Sequence, residues 1–147
     1  MIDVAQLPEI HPVLCYTTKG DTVTLEAIKN LIDKDARKHG VPVAFAFDEI
    51  KSGSAATPVI EDCLVVYHPE HRHDYISIVF RIRRVGDTAY IMKNEYGSSP
   101  RMTHTDMLSE AAKLRNPLRQ IVEEDKELEA EKRYYLALRS IFEYVKC

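Results

Sequence analysis

Three of the chain's six histidines fall within the run Tyr67-His68-Pro69-Glu70-His71-Arg72-His73-Asp74. Neutral imidazole is the commonest protein ligand for zinc-like metals, and a turn can aim several side chains at one point. His68, His71 and His73 could hold a divalent ion with a coordination position left open. Glu70 or Asp74 would then orient a water as general base, which is the chemistry of metal-assisted hydrolysis. The spacing His-x2-His-x-His lacks the two separated close pairs of a structural zinc site, and Cys63 lies about a strand length away. Against the metal stands the plain reading of a polar, solvated turn, because turns are exposed and metal sites are rare.

Two weaker constellations accompany it. Asp48-Glu49-Ile50-Lys51 ends a β-prone run, and a strand ending in Glu-x-Lys after an earlier acid resembles the arrangement of metal-dependent nucleases. That arrangement needs a further acid on a preceding strand, whereas a helical pattern precedes it here. An acidic strand end is the simpler reading. Tyr75, Arg81, Arg83, Tyr90 and Met92 interleave on one side of a predicted hairpin. Tyrosines and arginines so placed can stack bases and hold phosphates. Tyr, Arg and Met are also the residues enriched in protein interfaces, so a protein-binding face is favoured over nucleic acid.

The elements that must position these residues follow from periodicity. Pro12 to Thr18 is β-prone and ends at the turn signal Lys19-Gly20-Asp21. Asp21 or Thr22 can cap a helix through Leu25, Ile28, Leu31 and Ile32, which Gly40 and Pro42 stop. Val43 to Ile50 alternates as a strand, and the small residues Lys51 to Pro58 read as a flexible loop. Strands follow near 62–67, 73–84 and 87–96, with His68 and His73 expected to face each other across the first turn and His71 at its tip. Gly86-Asp87 makes a two-residue turn that sets Ile82 opposite Ile91, Phe80 opposite Lys93 and Arg83 opposite Tyr90. Ile76, Ile78, Phe80 and Ile82 then line one face, and Tyr75, Ser77, Val79, Arg81 and Arg83 the other.

After Gly97 to Pro100, Thr103 or Thr105 caps one predicted helix, and Asn116-Pro117 starts another. Ile121, Leu128, Tyr135 and Phe142 recur every seven residues, with Glu124 and Glu131 where a second apolar position would fall. The charged stretch from Glu123 to Arg133 is expected to be solvated. The segment with Tyr135, Leu138, Phe142 and Val145 is apolar nearly all round, so it must be buried all round, and dimerisation through it is the expectation.

Composition narrows the class. At 147 residues with 45% apolar and 29% charged residues, the chain is large enough for one self-supporting core and is not a disordered tract. It has no apolar run long enough for a bilayer and no leader-like start, so a cytoplasmic protein without membrane contact is expected. Cys15, Cys63 and Cys147 form no close pair, so no disulfide framework is expected. Residues 68–101 carry six Lys/Arg against four Asp/Glu, too slight an excess to argue for nucleic acid.

The expected fold is a single α+β domain. It has a mostly antiparallel four- to five-stranded sheet with one N-terminal helix over about 12–96, and two C-terminal helices over about 103–146. The expected function is a non-catalytic protein-interaction or regulatory module, homodimeric, with no cofactor, because no phosphate loop, nucleophile elbow or complete metal signature occurs. The alternative is a metal-dependent hydrolase or metal-binding protein built on the histidine turn.

Overall fold

A computed structural model describes residues 1–7, 15–17, 23–101 and 123–142, with backbone alone for 15–17 and 123–125. The chain is α+β. Strands β1 (Ile2–Asp3) and β2 (Cys15–Thr17) precede helix α1 (Leu25–His39). Then come β3 (Ala44–Gly53), β4 (Pro58–Tyr67), β5 (Ser77–Val85), β6 (Thr88–Tyr96) and helix α2 (Glu123–Phe142). The six strands form one sheet in the order β1-β3-β4-β5-β6-β2, antiparallel except for the β1–β3 pair.

Local chemistry accounts for most boundaries. Thr24 caps α1 by accepting from the Ala27 N–H at 3.0 Å, Glu26 sits in the first turn, and Arg37, Lys38 and His39 in the last oppose the dipole's negative end. Ile28, Ile32 and Ala36, four residues apart, bury one stripe of the helix. The predicted β5–β6 register holds, with Ile82 opposite Ile91, Phe80 opposite Lys93 and Arg83 opposite Tyr90. Gly86 takes φ 63° at its turn, a conformation only glycine adopts cheaply.

Alternation divides the sheet into two buried faces. Leu64, Val66, Ile78, Phe80 and Ile91 meet α1 and the Tyr134–Phe142 end of α2 in the larger core, where Phe80 and Phe142 pack edge to face at 5.1 Å. On the reverse face Ile50, Cys63, Val65 and Val79 pack with Ile2, Val4 and Leu7 of the N-terminal segment.

The fold departs from expectation in four places. The first helix lies mid-chain after two strands where one was expected, and the sheet gains a sixth strand because the first residues add in parallel to β3. Of the two C-terminal helices, α2 is described; the helix expected around 103–114 and the Asn116-Pro117 start lie outside the described residues. Half of the Lys51–Pro58 stretch is strand: β3 runs to Gly53, β4 starts at Pro58, and between them Ser54 and Thr57 close a tight turn through their hydroxyls at 2.9 Å. The histidine run does join the antiparallel β4–β5 pair, but as the long loop 68–76 instead of a tight turn, so His68 and His73 are not cross-strand partners.

The two hairpin glycines should respond differently to substitution. At Gly53 (φ 82°) an added Cβ would sit 2.6 Å from the Thr57 carbonyl oxygen, whereas nothing lies within 4 Å at Gly86. Gly86→Ala should cost about 1 kcal/mol and Gly53→Ala about 2 kcal/mol or more in urea-unfolding free energy.

Candidate functional site

The histidine loop folds back onto α2 and joins a polar cluster. Two turns shape it, with the His71 N–H donating to the His68 carbonyl and the Tyr75 N–H to the His71 carbonyl, each at 3.1 Å. The His71 ring stacks on Tyr75 at 4.1 Å, and His68 sits 4.7 Å from both His71 and Tyr134. His71 Nδ1 lies 3.1 Å from both Asp74 carboxylate oxygens.

Beneath the loop Glu131 is fully buried at 0% exposure. Its Oε2 accepts from Ser99 Oγ and Arg101 Nε, both at 2.9 Å, and its Oε1 accepts from the Tyr135 hydroxyl at 2.9 Å. Tyr135 also accepts from the Ile76 N–H. Arg101 Nη2 reaches the Asp74 carbonyl at 3.0 Å and its carboxylate at 3.2 Å, and the guanidinium lies over the Tyr75 ring at 5.3 Å. One arginine thus ties the loop to the helix.

Charge states follow from these contacts. Burial would raise Asp74, but hydrogen bonds from His71 and Arg101 outweigh it and hold the carboxyl below its ordinary value. Burial pushes His68 down, helped by the neighbouring His71. Burial pushes Tyr134 and Tyr135 well up, so both stay neutral donors.

Tautomers restrict what the imidazoles can do. His68 Nδ1 accepts the Glu70 N–H at 3.1 Å, so neutral His68 carries its proton on Nε2 and offers no lone pair outward. His71 donates Nδ1–H to Asp74, which leaves its Nε2 as an acceptor. Glu70 and His73 are exposed. Among the described residues no group of three or more His, Cys, Asp or Glu gathers as a metal cradle. Cys63 is buried in the reverse core, its thiol pushed up to about 11 by burial and by Asp48.

The other proposed surfaces are dispersed. Tyr75 is in the larger core, Arg81 and Met92 are buried, Tyr90 is half-buried and Arg83 is exposed, so the five do not form one open face. Tyr135, Leu138 and Phe142 pack into the chain's own core, with Leu136 left outside; Val145 lies beyond the described residues. Glu131 and Arg101 were invisible to sequence reasoning, since a glutamate in a charged run reads as solvated and its arginine lies thirty positions away.

At the opposite end of the sheet lies an open cleft of about 750 Å³. Paired residues of β4 and β5 stop at Leu64–Phe80, although β4 reaches back to Pro58 and β5 on to Val85. The cleft occupies this opening, with Leu25, Phe47 and Ile82 as its apolar lining and Asp48, Glu49, Glu61 and Asp62 as its carboxylates. Glu49 and Asp62 are direct cross-strand partners. Neither has an ion pair among the described residues, whereas Glu61 is held by Arg81 at 2.8 Å. Arg84, also in the lining, donates to the Val23 carbonyl. Phe47 stays 56% exposed although Lys29 of α1 lies 5.7 Å over its ring.

No family model, curated protein or solved structure matches this chain. Among the described residues, no helix is long and apolar enough to cross a membrane.

Two outcomes test the cluster. Glu131→Leu would leave the donors of Ser99, Tyr135 and Arg101 Nε without their buried acceptor, while Asp74 still holds Arg101, and should cost about 1–3 kcal/mol in chemical denaturation, with Glu131→Gln losing less. Because folding lowers the His68 pKa, the unfolded chain binds that proton more readily, and stability should fall as pH drops through 6.5. Asp74 adds a second loss below 3.8, where its lowered pKa no longer helps. Melting temperature followed against pH should show a shallower upper step in His68→Asn, which keeps an acceptor for the Glu70 N–H but does not titrate.

Proposed function

We propose that this chain is a non-catalytic protein-interaction module whose partner is taken at the cleft between α1 and the β3–β4 hairpin. The observation that carries this reading is Phe47, a large aromatic left 56% exposed beside the cross-strand carboxylates Glu49 and Asp62. Like charges directly opposite on a sheet are destabilising, and exposed aromatic surface rimmed by polar groups marks interaction sites. Ile60 lies on the same arm, paired with Lys51 and also exposed.

The histidine cluster supports the non-catalytic part by its chemistry. Its carboxylates are engaged by Arg101, Ser99 and Tyr135, and the hydroxyls of Ser99, Tyr134 and Tyr135 are hydrogen-bonded to Glu131 or to backbone. Among the described residues, His71 Nε2 is one basic nitrogen without a neighbouring nucleophile to activate.

A photo-crosslinking side chain at Ile60 tests the proposal in cell extract of the source organism. One discrete adduct is expected, lost in Phe47→Ser and retained in His71→Ala, while Phe47→Ser shifts stability by no more than about 1 kcal/mol. An adduct indifferent to Phe47, or none, removes the cleft from the function. Stoichiometric divalent metal in chelator-free protein, lost in His71→Ala, would move the function to the histidine loop instead.

A further inference from the structure

The cleft is more than a depression, because two of its walls are strand edges. β3 pairs with β4 along its whole length from Ala44–Tyr67 to Gly53–Pro58, and β6 pairs with β5 from Ser77–Tyr96 to Val85–Thr88. Beyond Leu64 and Phe80 the facing sides of β4 and β5 have no backbone-paired residues among the described ones, and the side chain of Arg81 reaches across to Glu61 at 2.8 Å. Each strand therefore turns a row of backbone N–H and C=O groups toward the gap, the template on which an added strand forms.

The side chains around the gap say what such a strand would carry. Phe47, Glu49 and Lys51 alternate along β3, on the face that Lys29 covers at Phe45 and Phe47. Ile82 and Arg84 alternate along β5, and Leu25 closes the apolar patch from α1. Glu49 and Asp62 present two carboxylates with no cation of this chain on them among the described residues. A metal is a poor occupant, since among the described residues no three ligating groups gather there. Cationic side chains spaced along an extended chain meet such a row better than a point charge does. Arg84 is drawn aside by the Val23 carbonyl.

Resting on the interaction reading above, we infer that the partner enters as an extended segment and pairs by its backbone in the gap between β4 and β5. Phe47, Glu49, Asp62 and Ile82 share one face of the sheet, so every second residue of the segment faces them, and these positions are in turn apolar and basic. Its apolar side chains lie on Leu25, Phe47 and Ile82, and its lysines or arginines answer Glu49 and Asp62. Pockets of this size accept a few residues of peptide, so recognition is of a short motif.

The test uses the whole chain with a soluble synthetic peptide in which every second residue is in turn apolar and lysine, with polar residues between. The controls are a glutamate counterpart and a version N-methylated at alternate amides. The lysine peptide is expected to bind and to shift the amide resonances of residues 59–63 and 81–85. Glu49→Lys with Asp62→Lys should weaken it by about tenfold or more and let the glutamate peptide bind. That gain cannot come from a misfolded variant. N-methylation should abolish binding, because it removes the strand-pairing N–H groups. Equal binding of lysine and glutamate peptides, or indifference to N-methylation, overturns the inference. If no peptide binds while the Phe47-dependent adduct persists, strand entry falls and the interaction reading stands. If the adduct is absent too, both fall.

Discussion

Glu131 sets the terms for the whole histidine end of the molecule. A carboxylate without any exposure is costly to desolvate unless donors replace its water. Its donors come from two places in the sequence: Tyr135 from the next turn of the same helix, and Ser99 with Arg101 from the segment after β6. Satisfying it therefore fixes that segment against α2. Arg101 then has donors left over, and these take Asp74, which in turn orients His71 on the Tyr75 ring. The conformation of the histidine loop is the last consequence of a charge buried elsewhere.

Such a pair adds little net stability compared with apolar packing, but it penalises any arrangement that leaves one member alone. Tyr135 shows the same logic in a neutral group. Its hydroxyl donates to Glu131 and accepts from Ile76, so both sides of the helix–loop contact depend on one oxygen. The cluster reads as a fastening because its donors and acceptors are used on one another.

The cleft end is built on the opposite balance. There Glu49 faces Asp62 without a counter-ion among the described residues, Phe47 is wet, and two strand edges diverge. Packing can explain none of these as stabilising. Between the ends, the sheet buries both faces, so the rigid middle holds the open end in shape while α1 contributes one wall. The contrast between a fully engaged end and an unsatisfied one is the physical basis for placing function at the cleft.

Much of the β-sheet was legible because its rules are local. A two-residue turn at Gly86-Asp87 and strict alternation dictate that Ile82 meets Ile91 and that Ile78 and Phe80 share a face. Capping chemistry and spacing likewise mark α1, with its cap at Thr24 instead of further upstream. Alternation misled only where the strand had not begun: Tyr75 belongs to the loop, so it joins the helix-side core and not the Arg81 face.

The sequence by itself therefore determined the β5–β6 hairpin, its register and the apolar stripe of α1, since each depends on neighbours within a few residues. Tertiary structure alone decided that a glutamate in a charged run is buried and that the histidines pack as rings against tyrosines. It also decided that the α2 apolar groups serve their own core, and that β4 and β5 part company. Each of these is settled by groups far apart in the chain, whose desolvation must be balanced in space, and no local pattern records that balance.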